Sequence, residues 1–165
     1  MGSGMRKFVF FLPVFFLCCL SYSIQNSQKL ADGILPVDAT TFWMIEKYGH
    51  PDKIEEFVYD YDPYGKVVRM YYGENTFDFY VSDIYEHNHP QDWKITNDFK
   101  RYSELLNVEN YSIANIKKIF GDDVLDEYYS NVYDEHTLSY KTNYGVLYFV
   151  FKDDVLTIIG WSAGR

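Results

Sequence analysis

The chain has 165 residues, 47% apolar and 20% aromatic, with only 10 glycines and 5 prolines. That profile excludes a collagen-like, low-complexity or wholly disordered chain, and the length allows one ordinary domain or two small ones. A formal charge of −9 argues against nucleic-acid binding, which needs a basic footprint to neutralise phosphates.

Arg6 and Lys7 precede the apolar run Phe8–Leu20, and Ser21, Tyr22 and Ser23 follow it. A short basic stretch, a short apolar segment and small residues at its end form the pattern of a secretory signal peptide. The run falls short of the ~20 residues needed to span a bilayer. Residues 1–23 are therefore expected to be a signal peptide, with Met1–Gly4 a cloning scar ahead of Met5. Cys18 and Cys19 both lie inside it, so the remainder holds no disulfide. Residues 24–37 are an amino-terminal extension; Cys19 is the candidate for lipidation, in which case the sequence after it up to about Val37 would act as a tether. Loss of Arg6 and Lys7 takes the formal charge from −9 to about −11. An exported protein of that charge, periplasmic, envelope-bound or extracellular, is steered toward basic partners.

The rest of the chain reads twice. Asp38–Gly49 and Asn110–Gly121 each begin at or near an N-cap residue type, Asp38 or Thr40 and Asn110 or Ser112. Each continues with apolar residues at helical spacing: Phe42, Ile45 and Tyr48, then Ile113, Ile116 and Phe120. Each stops at an aromatic residue followed by glycine, the residue favoured just past a helix. Strands are expected after the first helix at Ile54–Tyr61, Val67–Tyr72 and Thr76–Ser82, with Asp62-Pro63-Tyr64-Gly65 as a turn. After the second they are expected at Val124–Tyr133, Thr137–Lys141, Gly145–Lys152 and Val155–Trp161. Phe77, Phe79 and Val81 align with Leu147, Phe149 and Phe151 as one apolar face, at a spacing of about 70–72 residues. Phe99–Leu106 reads as an extra short helix, with Gln28–Gly33 as its weaker counterpart. The predicted organisation is residues 38–84 as a first helix-plus-meander unit, 85–98 as a polar linker and 99–165 as a second unit. The fold class is α+β: two tandem helix-plus-antiparallel-meander units forming one curved antiparallel sheet backed by helices. A single α+β domain without duplication fits the same strands.

The corner Met44-Ile45-Glu46-Lys47-Tyr48-Gly49-His50-Pro51-Asp52-Lys53-Ile54, with Gly-x-Pro-Asp after an amphipathic helix, resembles the β-lactamase-inhibitor-protein-like fold group. That group also includes the β-barrel-assembly lipoprotein E (SmpA/OmlA) family. The resemblance runs over Asp38–Ser82 and Tyr111–Trp161, and Gly121-Asp122-Asp123 departs from the motif by lacking its proline. It implies secreted or lipid-anchored proteins without enzymatic activity that bind other proteins.

Catalytic patterns do not hold together. Gly160-Trp161-Ser162-Ala163-Gly164 matches the Gly-x-Ser-x-Gly elbow, but no helix, acid or histidine follows to complete it. Asp60–Gly65 starts like a calcium loop, yet Tyr71 stands where the bidentate glutamate belongs. His87 and His89, with Asp83 and Glu86, are weak metal candidates in a polar stretch; no metal or cofactor is expected. The unusual feature is 17 tyrosines. Tyrosine offers large amphipathic contact area at low entropic cost and is enriched in binding interfaces. With one sheet face packed on the helices, the other is expected to present Arg69, Tyr71, Asp78, Tyr80, Tyr148 and Trp161. The expected function is non-enzymatic binding of another, basic protein, as an inhibitor or an envelope assembly component. A small-molecule or carbohydrate binder with an aromatic cleft is the alternative, and an enzyme the third reading.

Overall fold

The computed structural model describes residues 26–59, 62–82, 89–99, 112–121 and 125–164. The signal segment with Cys18 and Cys19 lies outside them, as do Asp83, Glu86 and His87. Residues 26–34 form helix α1, and α2 (Thr41–Tyr48) and α3 (Ile113–Phe120) follow. The strands are β1 (Lys53–Tyr59), β2 (Asp62–Tyr72), β3 (Asn75–Ser82), β4 (His89–Thr96), β5 (Asp126–Ser130), β6 (Glu135–Lys141), β7 (Gly145–Lys152) and β8 (Val155–Ala163). They make one antiparallel sheet in the order β1-β2-β3-β4-β8-β7-β6-β5. The expected α+β class, with helices backing a single antiparallel sheet, is what forms. Among the described residues no helix is long and apolar enough to cross a membrane.

Local chemistry fixes α2 and α3 in the same way. Thr40 caps α2 by accepting from the Trp43 amide at 3.2 Å, and Ser112 caps α3 by accepting from Asn115 at 3.4 Å. Both helices end at glycine with φ 88°, a conformation that L side chains rarely adopt, and Gly49 and Gly121 donate back to Ile45 and Lys117. Inward faces are set by Met44 in α2 and by Ile116 and Phe120 in α3, all buried. Phe42, expected on the inner stripe, is 66% exposed. It lies two residues, about 200° of helical rotation, from Met44, so only one of them can face the sheet.

The stretch expected to be an extension is an integral helix. Leu30, Ala31 and Ile34 of α1 are buried in the core. Asn26 donates to the Ile119 carbonyl, Gln28 accepts from the Asn143 amide, and Tyr48 donates from its hydroxyl to the Ile34 carbonyl. Residues 26–34 are therefore not free to serve as a tether.

The expected linker also changes character, because residues 89–96 form β4 in the middle of the sheet. Trp93 and Ile95 alternate inward and are buried. Pro90, which cannot donate to a ladder, pairs with Phe79 just past a bulge that leaves Gln91 extra. Its β8-facing side lies beyond the end of the β4–β8 register, which begins at Asp92, so no ladder bond is lost there. Asp62–Gly65, expected as a turn, belong instead to β2, which starts at Asp62 paired with Tyr59.

On the helix-bearing side, Met70 pairs with Phe77 and Phe77 with Trp93, while Tyr140 pairs with Leu147 and Leu147 with Trp161. The two rows meet where Trp93 pairs with Trp161. Phe120 packs against Phe149 and Tyr140 at ring-centroid distances of 5.1 and 5.3 Å. Each fully buried side chain of this kind contributes roughly 1.5–3 kcal/mol through apolar surface removed from water.

Candidate protein-binding face

Strand alternation sends Arg69, Tyr71, Asp78, Tyr80 and Tyr148 to the side opposite the core, because their neighbours Met70, Phe77, Phe79, Leu147 and Phe149 point into it. One row across this side runs Glu55, Arg69, Asp78, Asp92. The next runs Tyr71, Thr76, Lys94, Gly160, Tyr148. Strands lie about 4.8 Å apart, so Tyr71 and Tyr148 are separated by ~19 Å, the width of a macromolecular footprint.

Each of these side chains already has a local task. Arg69 grips Asp78 with a two-pronged contact, Nε to Oδ1 and Nη2 to Oδ2, both at 2.6 Å, and its guanidinium lies 5.0 Å from the centre of the Phe57 ring. Asp78 is only 2% exposed. Burial pushes its carboxyl up, the Arg69 charge pulls it back, and the nearby Asp92 charge pushes it further. Tyr71 donates to the Glu55 carboxylate, and the Lys53 ammonium pairs with Glu55 and sits 5.2 Å from the Tyr71 ring centre. The Lys53 ammonium, and then the Tyr71 hydroxyl, hold Glu55 below the usual carboxylate range.

Two tyrosines lie flat on glycine backbone. A β-carbon added to Gly160 would come 2.1 Å from Tyr148 Cζ, and one on Gly65 would come 2.1 Å from Tyr80 Cε2. The rings occupy space that a side chain on the neighbouring strand would fill, which is why glycine stands at both positions. Burial, followed by the charges of Asp92 and Asp78, pushes the Tyr148 hydroxyl up to about 12. Arg69, Tyr71, Tyr80 and Tyr148 are half-buried and share the face.

Trp161 does not belong to it. The residue is 5% exposed, on the helix-bearing side, with Nε1 donating to Thr142 Oγ1 at 3.1 Å. A bulge opposite Val150/Phe151 leaves Thr157 extra in β8, so Leu156, Ile159 and Trp161 all turn inward and the simple alternation along β8 fails. Asp78 is likewise buried and offers no surface for a partner.

The other candidates resolve simply. Ser162 sits within β8, paired with Asp92 on one side and Val146 on the other, so Gly160–Ala163 of the Gly-x-Ser-x-Gly stretch are strand and not an elbow. His89 opens β4, and among the described residues no three His, Cys, Asp or Glu side chains group to hold a metal. An open hollow of about 540 Å³ is lined by Leu125, Tyr144, Gly164 and residues 141–143. Two of its polar groups are engaged, the Thr142 hydroxyl accepting from Trp161 and the Asn143 backbone amide donating to Gln28.

Sequence reasoning missed an exposed tyrosine cluster among the described residues. Tyr128, Tyr129, Val132 and Tyr133 are 61%, 51%, 83% and 68% exposed along β5 and the turn after it. The adjacent pair Tyr128-Tyr129 was the available signal, since strand alternation can hide only one of two neighbours.

Fold and face together define an α+β protein built on one antiparallel sheet, with helices on one side and a charged, tyrosine-bearing surface on the other. No protein-family model and no curated protein sequence matches this chain. It is similar in structure to a DUF4309 family protein, YjgB, from Bacillus subtilis subsp. subtilis str. 168, with a TM-score of 0.50 at 15% identity, covering 88% of this chain and 96% of that one. At that identity the likeness speaks for the fold alone.

Proposed function

We propose that this protein is an exported, non-enzymatic binding module that engages a basic protein partner through the sheet face bearing Tyr71, Tyr80 and Tyr148. The observation that carries the reading is the row Tyr71, Thr76, Lys94, Gly160, Tyr148, which spans five strands. The helices pack on the opposite side. A broad, pre-ordered surface of aromatic rings suits a macromolecule better than a small ligand, which needs a concave site with converging polar groups. Net charge −9 favours a basic partner and accelerates its encounter. The basic and apolar amino-terminal segment, with Cys19 as an acylation candidate, supports export.

The same reading takes the chain as two tandem helix-plus-meander units. Its support is the matched register of Met70–Phe77–Trp93 with Tyr140–Leu147–Trp161, and the identical φ of 88° at Gly49 and Gly121. This arrangement agrees with the resemblance to the β-lactamase-inhibitor-protein-like group.

Capture from an extracellular or envelope fraction with the wild-type protein and with Tyr71→Ala tests the function. Truncating an aromatic interface anchor costs about 2 kcal/mol or more, so retention of a basic protein is expected to fall by more than about tenfold. Equal retention by a Tyr71→Ala protein of unchanged melting temperature would remove the face from the function.

A further inference from the structure

The sheet has two edges, and they are defended differently. An edge strand exposes unpaired backbone N–H and C=O groups, which proteins blunt with lysine, proline or a bulge. On β1 the edge carries Lys53 and ends in an irregular step at Val58/Tyr59. On β5 the register with β6 is regular over all five pairs, and the strand Asp-Glu-Tyr-Tyr-Ser contains neither lysine nor proline. No other described strand pairs with β5. Asp126, Glu127, Tyr128 and Tyr129 are all exposed.

The side chains around this edge select what could pair with it. Residues 126–135 hold four carboxylates, Asp126, Glu127, Asp134 and Glu135, and no lysine or arginine. Glu127 is engaged by Lys117 at 2.9 Å and by His136 at 2.8 Å, and Asp134 accepts from the Tyr129 hydroxyl. Asp126 has no such partner among the described residues. Tyr128 pairs with Thr137 and so lies on the helix-free side, while Tyr129 pairs with His136 and lies on the other. An incoming strand would therefore meet one tyrosine above and one below the sheet plane, with carboxylates beside both. Such an edge repels an acidic strand, including a second copy of this chain, and admits a basic one.

We infer that β5 is a strand-addition site that accepts an extended basic segment of a partner protein, Asp126–Ser130 supplying the main-chain pairing and Tyr128 and Tyr129 gripping alternate side chains. The affinity comes from backbone hydrogen bonds and the selectivity from charge and ring contacts. This edge is distinct from the Tyr71–Tyr148 face, so either surface can fail without the other.

The test uses the whole protein and three synthetic ten-residue peptides: alternating Val-Lys, alternating Val-Glu, and alternating Val-Lys methylated on every backbone nitrogen. Binding is followed by fluorescence anisotropy, and amide hydrogen exchange reports on β5. The Val-Lys peptide is expected to bind and to slow exchange at Asp126–Ser130 by about tenfold or more, while Val-Glu does not bind. Asp126→Lys is expected to weaken Val-Lys binding by at least about tenfold, equivalent to ~1.4 kcal/mol. Equal binding by the N-methylated peptide, which carries the same charge but has no N–H to donate to a ladder, would overturn strand addition. So would binding without β5 protection, absence of binding, or β5 protection that appears on concentrating the protein alone.

Discussion

Tyr148 shows how a residue that reads as a binding group can be held by its own fold. Its ring covers Gly160 on the adjacent strand, and burial raises its hydroxyl to about 12. Tyr72, which donates to the Gly49 carbonyl, is also pushed up to about 12, first by burial and then by Tyr48 and Asp52. In the unfolded chain both titrate near 10. Between about pH 10 and 12 the unfolded state therefore holds fewer protons than the folded one, and stability falls as pH rises. Partial exposure reduces the ideal effect, so Tyr148 is expected to account for about 1–2 kcal/mol of that loss. Urea midpoints at pH 7, 10 and 11 check this: Tyr148→Phe should match the wild type at pH 7 and lose less above pH 10. Equal alkaline slopes would mean that the ring is more hydrated than its place over Gly160 implies. The pairing of a tyrosine with an opposing glycine is not visible in one sequence, because it depends on register between strands. Which side of the strand Tyr148 occupies was legible from period-two alternation, whereas Trp161 was misplaced because the Thr157 bulge shifts the phase of β8.

Among the elements, α2 and α3 were legible because their signals are local: Thr40 and Ser112 at the start, Gly49 and Gly121 at the end. Strand β4 was not, because Pro90 and the polar residues before it outweigh the short Trp93–Ile95 alternation, and the strand is stabilised by β3 and β8 from distant parts of the chain. The β7–β8 hairpin combines both kinds of information. Asp153 and Asp154 have φ of 51° and 60°, the two positive values of a type I′ turn, and Lys152 pairs with Val155 across it. Asp154 also accepts from the Ile113 amide at 3.1 Å, so the turn satisfies a donor at the start of α3. Asp154→Ala removes the carboxylate and strains the backbone, for an expected loss of about 2 kcal/mol. Asp154→Gly removes only the carboxylate and should cost less than half as much. Thermal melts of the two variants separate the contributions. Equal losses would show that the cap to Ile113, and not the turn conformation, dominates at this position.

At the scale of the molecule, chain order and packing order cross. Helix α1 comes first in sequence, yet its Asn26 and Gln28 bond to α3 and the β6–β7 turn, while its last turn meets Tyr48 of α2. Phe99, which precedes α3, packs instead on Tyr48 and Phe77 at 5.2 and 5.9 Å. Neither half of the sheet therefore closes its core with its own residues, a dependence that the two-unit reading of the sequence did not contain. Ile34, whose carbonyl accepts from Tyr48 of α2, is fully buried in the shared core. Ile34→Ala is expected to cost roughly 2–5 kcal/mol through lost burial and the cavity left behind. Because the halves share α1, the loss should appear in both together. Far-UV circular dichroism and tryptophan fluorescence would then report one coincident urea transition in the wild type, moved as a unit in the variant. Two separated transitions, with only one displaced by Ile34→Ala, would mean that the β4–β8 seam joins independent domains and that the long tyrosine row across it is not a rigid surface.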